Sequence, residues 1–511
     1  MALARTLAVA LTGLDGQLVE VECDISGGGL PGLSFTGLPD ASVNESRDRL
    51  RSALANSDAQ WPGVKVTVAL LPADVRKVGS RFDLAVGMAV LAAHGQVPLA
   101  SVEGAVWIAE LGLDGRLRPV RGVLPSVLAA RRLGARRVVV AAANAAEAAL
   151  VSGVDVRCAD RLREVIDWLS GRGPQLAVAA EGAADEPEPT TKDFADVVGQ
   201  TTAKRAVEIA AAGGHHLYMT GVPGAGKTML AERLPGLLPR LSDRASLEVT
   251  AVQSIAGLLG ERPRLLRQPP FQAPHHTASI AALVGGGSRV ARPGAITLAH
   301  HGVLFLDEAP LFESRALDAL RQPLESGRVV LHRSGGSVRY PARFQLVLAA
   351  NPCPCGKRGS DCMCSSLVKR RHAQRMSGPL MDRIDLKVIV EPVAHGDLLD
   401  NTGERETSET VAARVAAARA VAADRWHGTP WEVNGEVPGA VLRTSRWLLP
   451  TAALRPAQHF LEQGSLSARG FDRVLRLAWT VADLSGRAMP DAGDVDEALY
   501  FRTGGAGSWA A

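Results

Sequence analysis

Apolar and polar positions alternate with a period of two over LAVALTGLDGQLVEVECDI (7–25), and the Gly-rich break in its middle predicts a β-hairpin. KVTVALLP (65–72) and RRVVVAA (136–142) are short β-branched runs, whereas DASVNESRDRLRSALANS (40–57) and FDLAVGMAVLAAHG (82–95) have helical spacing. Strand and helix therefore mix over roughly residues 1–170, an α/β or α+β unit. GRGPQLAVAAEGAADEPEPTTK (171–192) has no period and is rich in Ala, Pro, Gly and acid, so it reads as a flexible linker. Beyond it, HLYMT, GVLFL and RFQLVLAAN are short continuous apolar runs of the kind that form buried parallel strands. The polar segment HGDLLDNTGERETSET (395–410) breaks this pattern, a mostly helical stretch follows to Tyr500, and GGAGSWAA (504–511) reads as a frayed tail. The expected organisation is 1–170, a linker at 171–192, an α/β core over 193–393, a helical unit over 394–503 and a tail at 504–511.

Length and composition narrow this picture. With 511 residues, 46% hydrophobic and 22% charged, the chain reads as a soluble globular protein of two to four domains. A net charge of +4 means that any nucleic-acid affinity must come from local patches. No apolar run approaches the ~20 residues of a membrane span. The opening MALARTLAVALTGLDG holds an Arg and a short apolar stretch, but Asp15 and the hairpin alternation argue against a signal peptide. Six cysteines, four of them clustered, fit a reducing compartment, and cytoplasmic placement is the expectation.

The strongest chemistry lies at HLYMTGVPGAGKTML. Gly221–Thr228 fits G-x-x-x-x-G-K-[ST] between a buried strand and a helix. In such a loop Gly221, Pro223, Gly224, Ala225 and Gly226 let backbone N–H groups curl around phosphates. Lys227 reaches the β- and γ-phosphates of ATP, and Thr228 ligates Mg²⁺. GVLFLDEA carries Asp307 and Glu308 to a strand end, Asp307 to hold Mg²⁺ and Glu308 to polarise the attacking water. RFQLVLAAN ends on Asn351, an amide suited to the γ-phosphate or the water. A P-loop, a D-E pair and a strand-terminal Asn in this order resemble the AAA+ ATPases. The resemblance implies Asn351 as the first sensor, Arg383 in SGPLMDRIDL as an arginine finger acting on the neighbouring subunit of a ring, and Arg469 in LSARGFDR as the second sensor.

Between the D-E strand and Asn351, SGG flanked by alternating residues predicts a second hairpin. From Gly327 to Arg343 it carries Arg328, Arg333, Arg339 and Arg343 and no acid, which suits a DNA phosphate backbone; a basic solvated hairpin is the plain alternative. This hairpin, with APHHTAS, NPCPCG, PGLSFTGLPDASVNESRDRLRSAL and GSRFDLAVGMAVLAA, resembles the magnesium-chelatase-like ATPases of the ComM/YifB family, and the resemblance covers nearly the whole chain. That resemblance implies a Lon-protease-like (S5-like) N-terminal α+β domain, an AAA+ core with a parallel sheet, a helical lid, a hexameric ring and ATP-dependent branch migration of DNA in recombination or natural transformation. Proteolysis is disfavoured, because Leu124 stands where the Lon lysine is expected and Ser80 lacks a base. Metal insertion of the chelatase type, or protein remodelling, is the alternative.

Cys353, Cys355, Cys362 and Cys364 form two C-x-C pairs, a set that can close around Zn²⁺ or remain a reduced loop. Lys357, Arg358, Lys369, Arg370 and Arg371 flank it and invite DNA contact. The pairs His215-His216, His275-His276 and His300-His301 suggest positioning near the nucleotide or a pore more than a second metal, since adjacent strand residues face opposite ways.

Overall fold

The computed structural model describes residues 3–26, 30–180, 192–260, 262–287, 291–333, 336–358, 361–393 and 405–505. The N-terminal sheet is built from β1 (Leu3–Thr12), β2 (Asp15–Ser26), β3 (Gly32–Thr36), β4 (Lys65–Leu71), β5 (Ala105–Ile108), β8 (Arg137–Ala141), β9 (Asp155–Ala159) and β10 (Ala177–Val178), with β6 (Glu110–Leu111) and β7 (Leu117–Arg118) as a separate ribbon. The strand order is β10-β9-β8-β5-β1-β2-β4-β3. The expected hairpin is β1–β2, antiparallel from Leu3↔Asp24 to Thr12↔Asp15. Pleating sends Ala4, Ala8 and Ala10 into one apolar cluster and Val9, with Leu7 and Leu11, into another, so the sheet is covered on both faces. The helix Asp83–Ala93 is buried along its whole length on the first face, which is why its sequence lacks a polar stripe. The pairing of β10 with β9 carries ordered structure past Gly171, where the linker was expected to begin. Ala177 and Val178 do this through backbone hydrogen bonds that need no apolar period. The rest of the linker, 181–191, lies outside the described residues.

The second sheet contains β11 (Leu217–Thr220), β12 (Phe271–Gln272), β15 (Val303–Leu306), β18 (Gln345–Ala350) and β19 (Leu386–Ile389), all parallel, in the order β12-β15-β18-β11-β19. Strands β11, β15 and β18 are buried at every position, the signature of a parallel sheet covered on both sides. Short ribbons β13 (Gly285–Gly286)–β14 (Arg292–Pro293) and β16 (Arg328–Arg333)–β17 (Gly336–Pro341) are inserted between these strands. The second ribbon is the expected basic hairpin, and its tip, 334–335, lies outside the described residues.

From Ser408 the chain is helical, with Ser408–Arg425, Thr451–Glu462, Ala468–Leu484 and Ala492–Thr503 as its long elements. They share one apolar core with the parallel sheet, in which Trp447 meets Trp426 at a tilt (centroids 4.8 Å apart) and Trp479 edge to face (5.9 Å). Most of the polar segment at 395–410 lies outside the described residues, as does most of the tail. Among the described residues no helix is long and apolar enough to cross a membrane.

Candidate nucleotide site and four-cysteine loop

Register places three strand ends together. Thr220 on β11 pairs with Ala350 on β18, and Leu306 on β15 pairs with Leu348 on β18. Gly221, Asp307 and Asn351 therefore leave the sheet along one edge, the carboxyl edge where α/β sheets bind ligands. The loop that follows β11 requires its glycines. A Cβ at Gly221 would lie 2.4 Å from the Val390 carbonyl oxygen, and Gly224 and Gly226 sit at φ 80° and 94°. Helix Lys227–Leu237 starts at once, with its N-terminal N–H groups turned to the loop.

Lys227 Nζ donates to the carbonyl oxygens of Gly221 (2.7 Å) and Val222 (3.1 Å) and to Asn351 Oδ1 (3.1 Å). Burial lowers its pKa, and the nearby Asp307 and Glu308 carboxylates oppose that shift. Thr228 Oγ1 donates to Asp307 Oδ2 at 2.8 Å, so the hydroxyl and carboxylate expected to share Mg²⁺ already touch. Asp307 Oδ1 accepts the Glu308 N–H at 2.8 Å, and Glu308 is held in left-handed backbone at φ 49°. Such strain in a non-glycine residue is typical of positions fixed for function. The cradle that excludes a Cβ, the clustered donors and the paired Thr228 and Asp307 fit a nucleotide triphosphate with Mg²⁺.

His276 joins this cluster from one of the histidine pairs expected near the nucleotide, whereas His372 and Gln200 were not singled out from the sequence. His276 Nδ1 lies 3.6 Å from Glu308 Oε2, from the His275-His276 pair inside APHHTAS. His372 Nε2 donates to the Asn351 carbonyl at 3.0 Å. Gln200, at φ 53°, donates to the Ala225 carbonyl in the phosphate loop and to that of Glu391 (3.3 Å). It also lines a cavity of about 460 Å³ with Lys387 and Tyr500. No spacing rule links these residues, because each arrives from a different loop or helix.

The two arginines carried by the AAA+ resemblance stand apart from this cluster. Arg383 is largely buried and bonds to Glu325 and to the Pro379 carbonyl. Arg469 is exposed on the first turn of Ala468–Leu484. One turn further, Arg473 pairs with Asp385, which is also 3.7 Å from His215 Nδ1 and accepts the His216 N–H at 3.1 Å. Burial would raise the Asp385 pKa, but Arg473 and His215 hold it well below the usual carboxylate range. This buried pair joins the C-terminal helices to the start of β19.

On the basic hairpin, Arg328 and Arg339 are exposed and form no ion pair among the described residues. Arg333 ends β16 opposite Gly336, while Arg343 lies beyond the hairpin, at its base, where its N–H donates to His300 Nδ1 at 3.1 Å. The turn between β1 and β2 abuts this ribbon, since a Cβ at Gly13 would lie 2.3 Å from the Arg339 carbonyl oxygen.

Among the described residues two clusters have metal-ligand composition. The four thiols of Cys353, Cys355, Cys362 and Cys364 lie within 4.8 Å of one another and form no disulfide. Sγ separations of 3.5 Å (Cys355–Cys362) and 3.4 Å (Cys362–Cys353) are near the ~3.8 Å edge of a sulfur tetrahedron with ~2.3 Å metal bonds. The loop also packs on the phosphate loop, as a Cβ at Gly356 would lie 2.8 Å from Pro223 Cγ. In the second cluster Glu248 Oε2 is 3.2 Å from Nε2 of both His300 and His301. Since His300 Nδ1 accepts a backbone N–H, neutral His300 carries its proton on Nε2 and donates it to Glu248. That arrangement is a closed hydrogen-bond set, and it ties helix Asp243–Ala256 to the core. The same helix reaches the N-terminal sheet unit through Ser254 and Glu147.

The remaining candidates in the N-terminal unit do not assemble a protease site. Leu124 is fully buried, and Ser80 Oγ donates to the Glu110 carboxylate.

Comparison with known proteins agrees along the chain. Models described as subunit ChlI of magnesium chelatase match residues 21–144 and 193–398, and one for its C-terminal region matches 405–502. An uncharacterized protein of Mycobacterium tuberculosis is 51% identical over 507 residues, covering 99% of this chain and 100% of the relative. Competence protein ComM of Haemophilus influenzae is 40% identical, covering 98% of each chain, and YifB of Escherichia coli is 39% identical, covering 98% and 97%. A phosphate loop facing paired carboxylates on an AAA+-type sheet, together with full-length similarity of this degree, shows that the chain belongs to the ComM/YifB family of magnesium-chelatase-like proteins.

Proposed function

We propose that this chain is an ATP-hydrolysing DNA motor, working as a hexameric ring, that drives branch migration as DNA is integrated during recombination or natural transformation. The observation that carries the ATPase reading is the meeting of Lys227, Thr228, Asp307 and Asn351 at one sheet edge. Lys227 and the loop N–H groups hold the β- and γ-phosphates, while Thr228 and Asp307 hold Mg²⁺, which neutralises phosphate charge. Glu308 takes a proton from the attacking water, and Asn351 orients that water or the γ-phosphate. The cavity beside Gln200 offers room for the nucleoside. Arg383 acts as a finger on the next subunit after exchanging Glu325 for phosphate, and Arg469, on the helical lid, acts as the second sensor. The DNA reading is supported by Arg328 and Arg339, exposed on a hairpin without acids, and by the competence name of the H. influenzae relative. Zn²⁺ is assigned to Cys353, Cys355, Cys362 and Cys364, as a structural clamp beside Asn351.

The test is ATP-driven strand separation on a synthetic four-way junction, comparing wild type with Lys227→Ala. Movement that requires both ATP and Lys227 is the expected result. ATP hydrolysis without effect on any junction would refute the DNA motor and favour the second reading, metal insertion or protein remodelling, which the chelatase descriptions of the matching family models support.

A further inference from the structure

The segment 351–374 holds five Lys or Arg residues and one acid, Asp361, and ends in a helix with no buried residue, Ser366–Gln374. A nine-residue helix without a buried face is marginal by itself, so its attachments decide what it does. Ser365 caps its start, one residue beyond Cys364, by accepting the Val368 N–H. His372 fixes its far half through the hydrogen bond to the Asn351 carbonyl, and Arg375, just past its end, donates to the Pro310 carbonyl. The helical period then turns Arg370, with Leu367 and Gln374 on either side of it, away from those anchors, and leaves Lys369 and Arg371 on the two flanks of the helix. The side chains of Lys369, Arg370 and Arg371 are exposed and make no ion pair or hydrogen bond among the described residues, unlike that of Arg358, which pairs with Glu391.

We propose that helix Ser366–Gln374 is a second contact for the DNA phosphate backbone, and that its loading is relayed to the ATP site through the His372–Asn351 hydrogen bond. The proposal rests on the DNA-motor reading above. Charge complementarity selects the occupant, because three adjacent unpaired cations without an acid on the helix suit a polyanion. Two hydrogen bonds separate this surface from the phosphate loop. His372 Nε2–H donates to the Asn351 carbonyl, and Asn351 Oδ1 accepts from Lys227 Nζ. A shift of the helix under load therefore moves the sensor amide against Lys227. His372 is a positioning residue in this scheme, touching neither ATP nor DNA.

The test uses the full-length chain, a fluorescein-labelled single strand followed by anisotropy over a salt series, and ATP turnover with and without that strand. For Lys369→Ala/Arg370→Ala/Arg371→Ala the slope of log affinity against log salt becomes shallower by about 2, from three contacts at about 0.7 each. The ratio of DNA-stimulated to DNA-free turnover falls toward one. His372→Ala leaves the salt slope as in wild type yet loses the stimulation, and His372→Gln, which keeps an N–H donor, restores part of it. A wild type that binds no DNA would remove the proposed function itself. A wild type that binds, with an unchanged slope in the triple variant, overturns this inference alone. So does a triple variant that fails to form the ring, which would make the helix a subunit contact. Full stimulation in His372→Ala, or binding without stimulation in wild type, overturns the relay.

Discussion

Glu308→Gln isolates the proton-accepting role at the candidate site. The amide keeps the side chain's length beside His276, and the backbone N–H of residue 308 still donates to Asp307. Lys227, Thr228 and Asp307, proposed above to hold phosphate and Mg²⁺, are untouched. Only a carboxylate able to take a proton is lost. A positioned general base contributes about 10²- to 10⁴-fold, so turnover falls by that factor and the barrier rises by about 3–5 kcal/mol. Nucleotide affinity stays within about twofold, since no group assigned to binding changes. At a ligand concentration of 100 times Kd, bound nucleotide stabilises the fold by about 2.7 kcal/mol. That stabilisation persists in Glu308→Gln and disappears in Lys227→Ala. The assay pairs steady-state phosphate release with ATP-induced shifts in thermal unfolding. Turnover within threefold of wild type in a Glu308→Gln protein that still binds ATP would refute the assignment of the base.

Four other outcomes are expected. Wild type carries about one zinc per chain by elemental analysis, and Cys353→Ser/Cys362→Ser carries none, since two thiolates cannot hold a structural zinc; retained zinc in the variant would place the metal elsewhere. Arg473→Ala lowers stability in urea by about 3 kcal/mol, the low end for breaking a buried pair, because Asp385 keeps the His216 N–H and His215; a loss under 1 kcal/mol would show the pair to be solvated. His216 Nδ1 accepts the Leu346 N–H, and burial lowers its pKa from 6.5 to about 4. The unfolded chain therefore binds the proton first, and stability present above pH 6.5 declines toward pH 4 by about 3 kcal/mol, about 2.5 pH units at 1.36 kcal/mol each. His216→Asn flattens that limb in a urea series, and an unchanged slope would count against a neutral buried imidazole. Finally, Arg383→Ala alone loses turnover while still assembling, and mixing it with Lys227→Ala restores part of it; failure to do so in assembled mixtures would deny action between subunits.

Local pattern determined a large part of this protein. The β1–β2 hairpin, the buried strands β11, β15 and β18 and the phosphate loop are legible because period, glycine placement and the G-K-T tripeptide are properties of neighbouring residues. Composition likewise made the four cysteines a candidate metal set, though not their convergence to within 4.8 Å, which depends on how the loop folds back at Gly356. Tertiary structure alone decided which strands are adjacent. The order β12-β15-β18-β11-β19 seats the Asn351 strand between those of Asp307 and Gly221, and sequence order does not contain it. It also decided the roles of the histidines. His276 meets Glu308, His372 holds Asn351, and His300 is closed by Glu248 and the Arg343 N–H, although nothing in their local sequence separates them. The unsigned extension of ordered structure to Ala177–Val178 has the same origin, in backbone bonds to a strand some twenty residues away. Short-range pattern specifies backbone state, whereas contacts between distant segments depend on packing, and packing is where the charged groups of this chain acquire their partners.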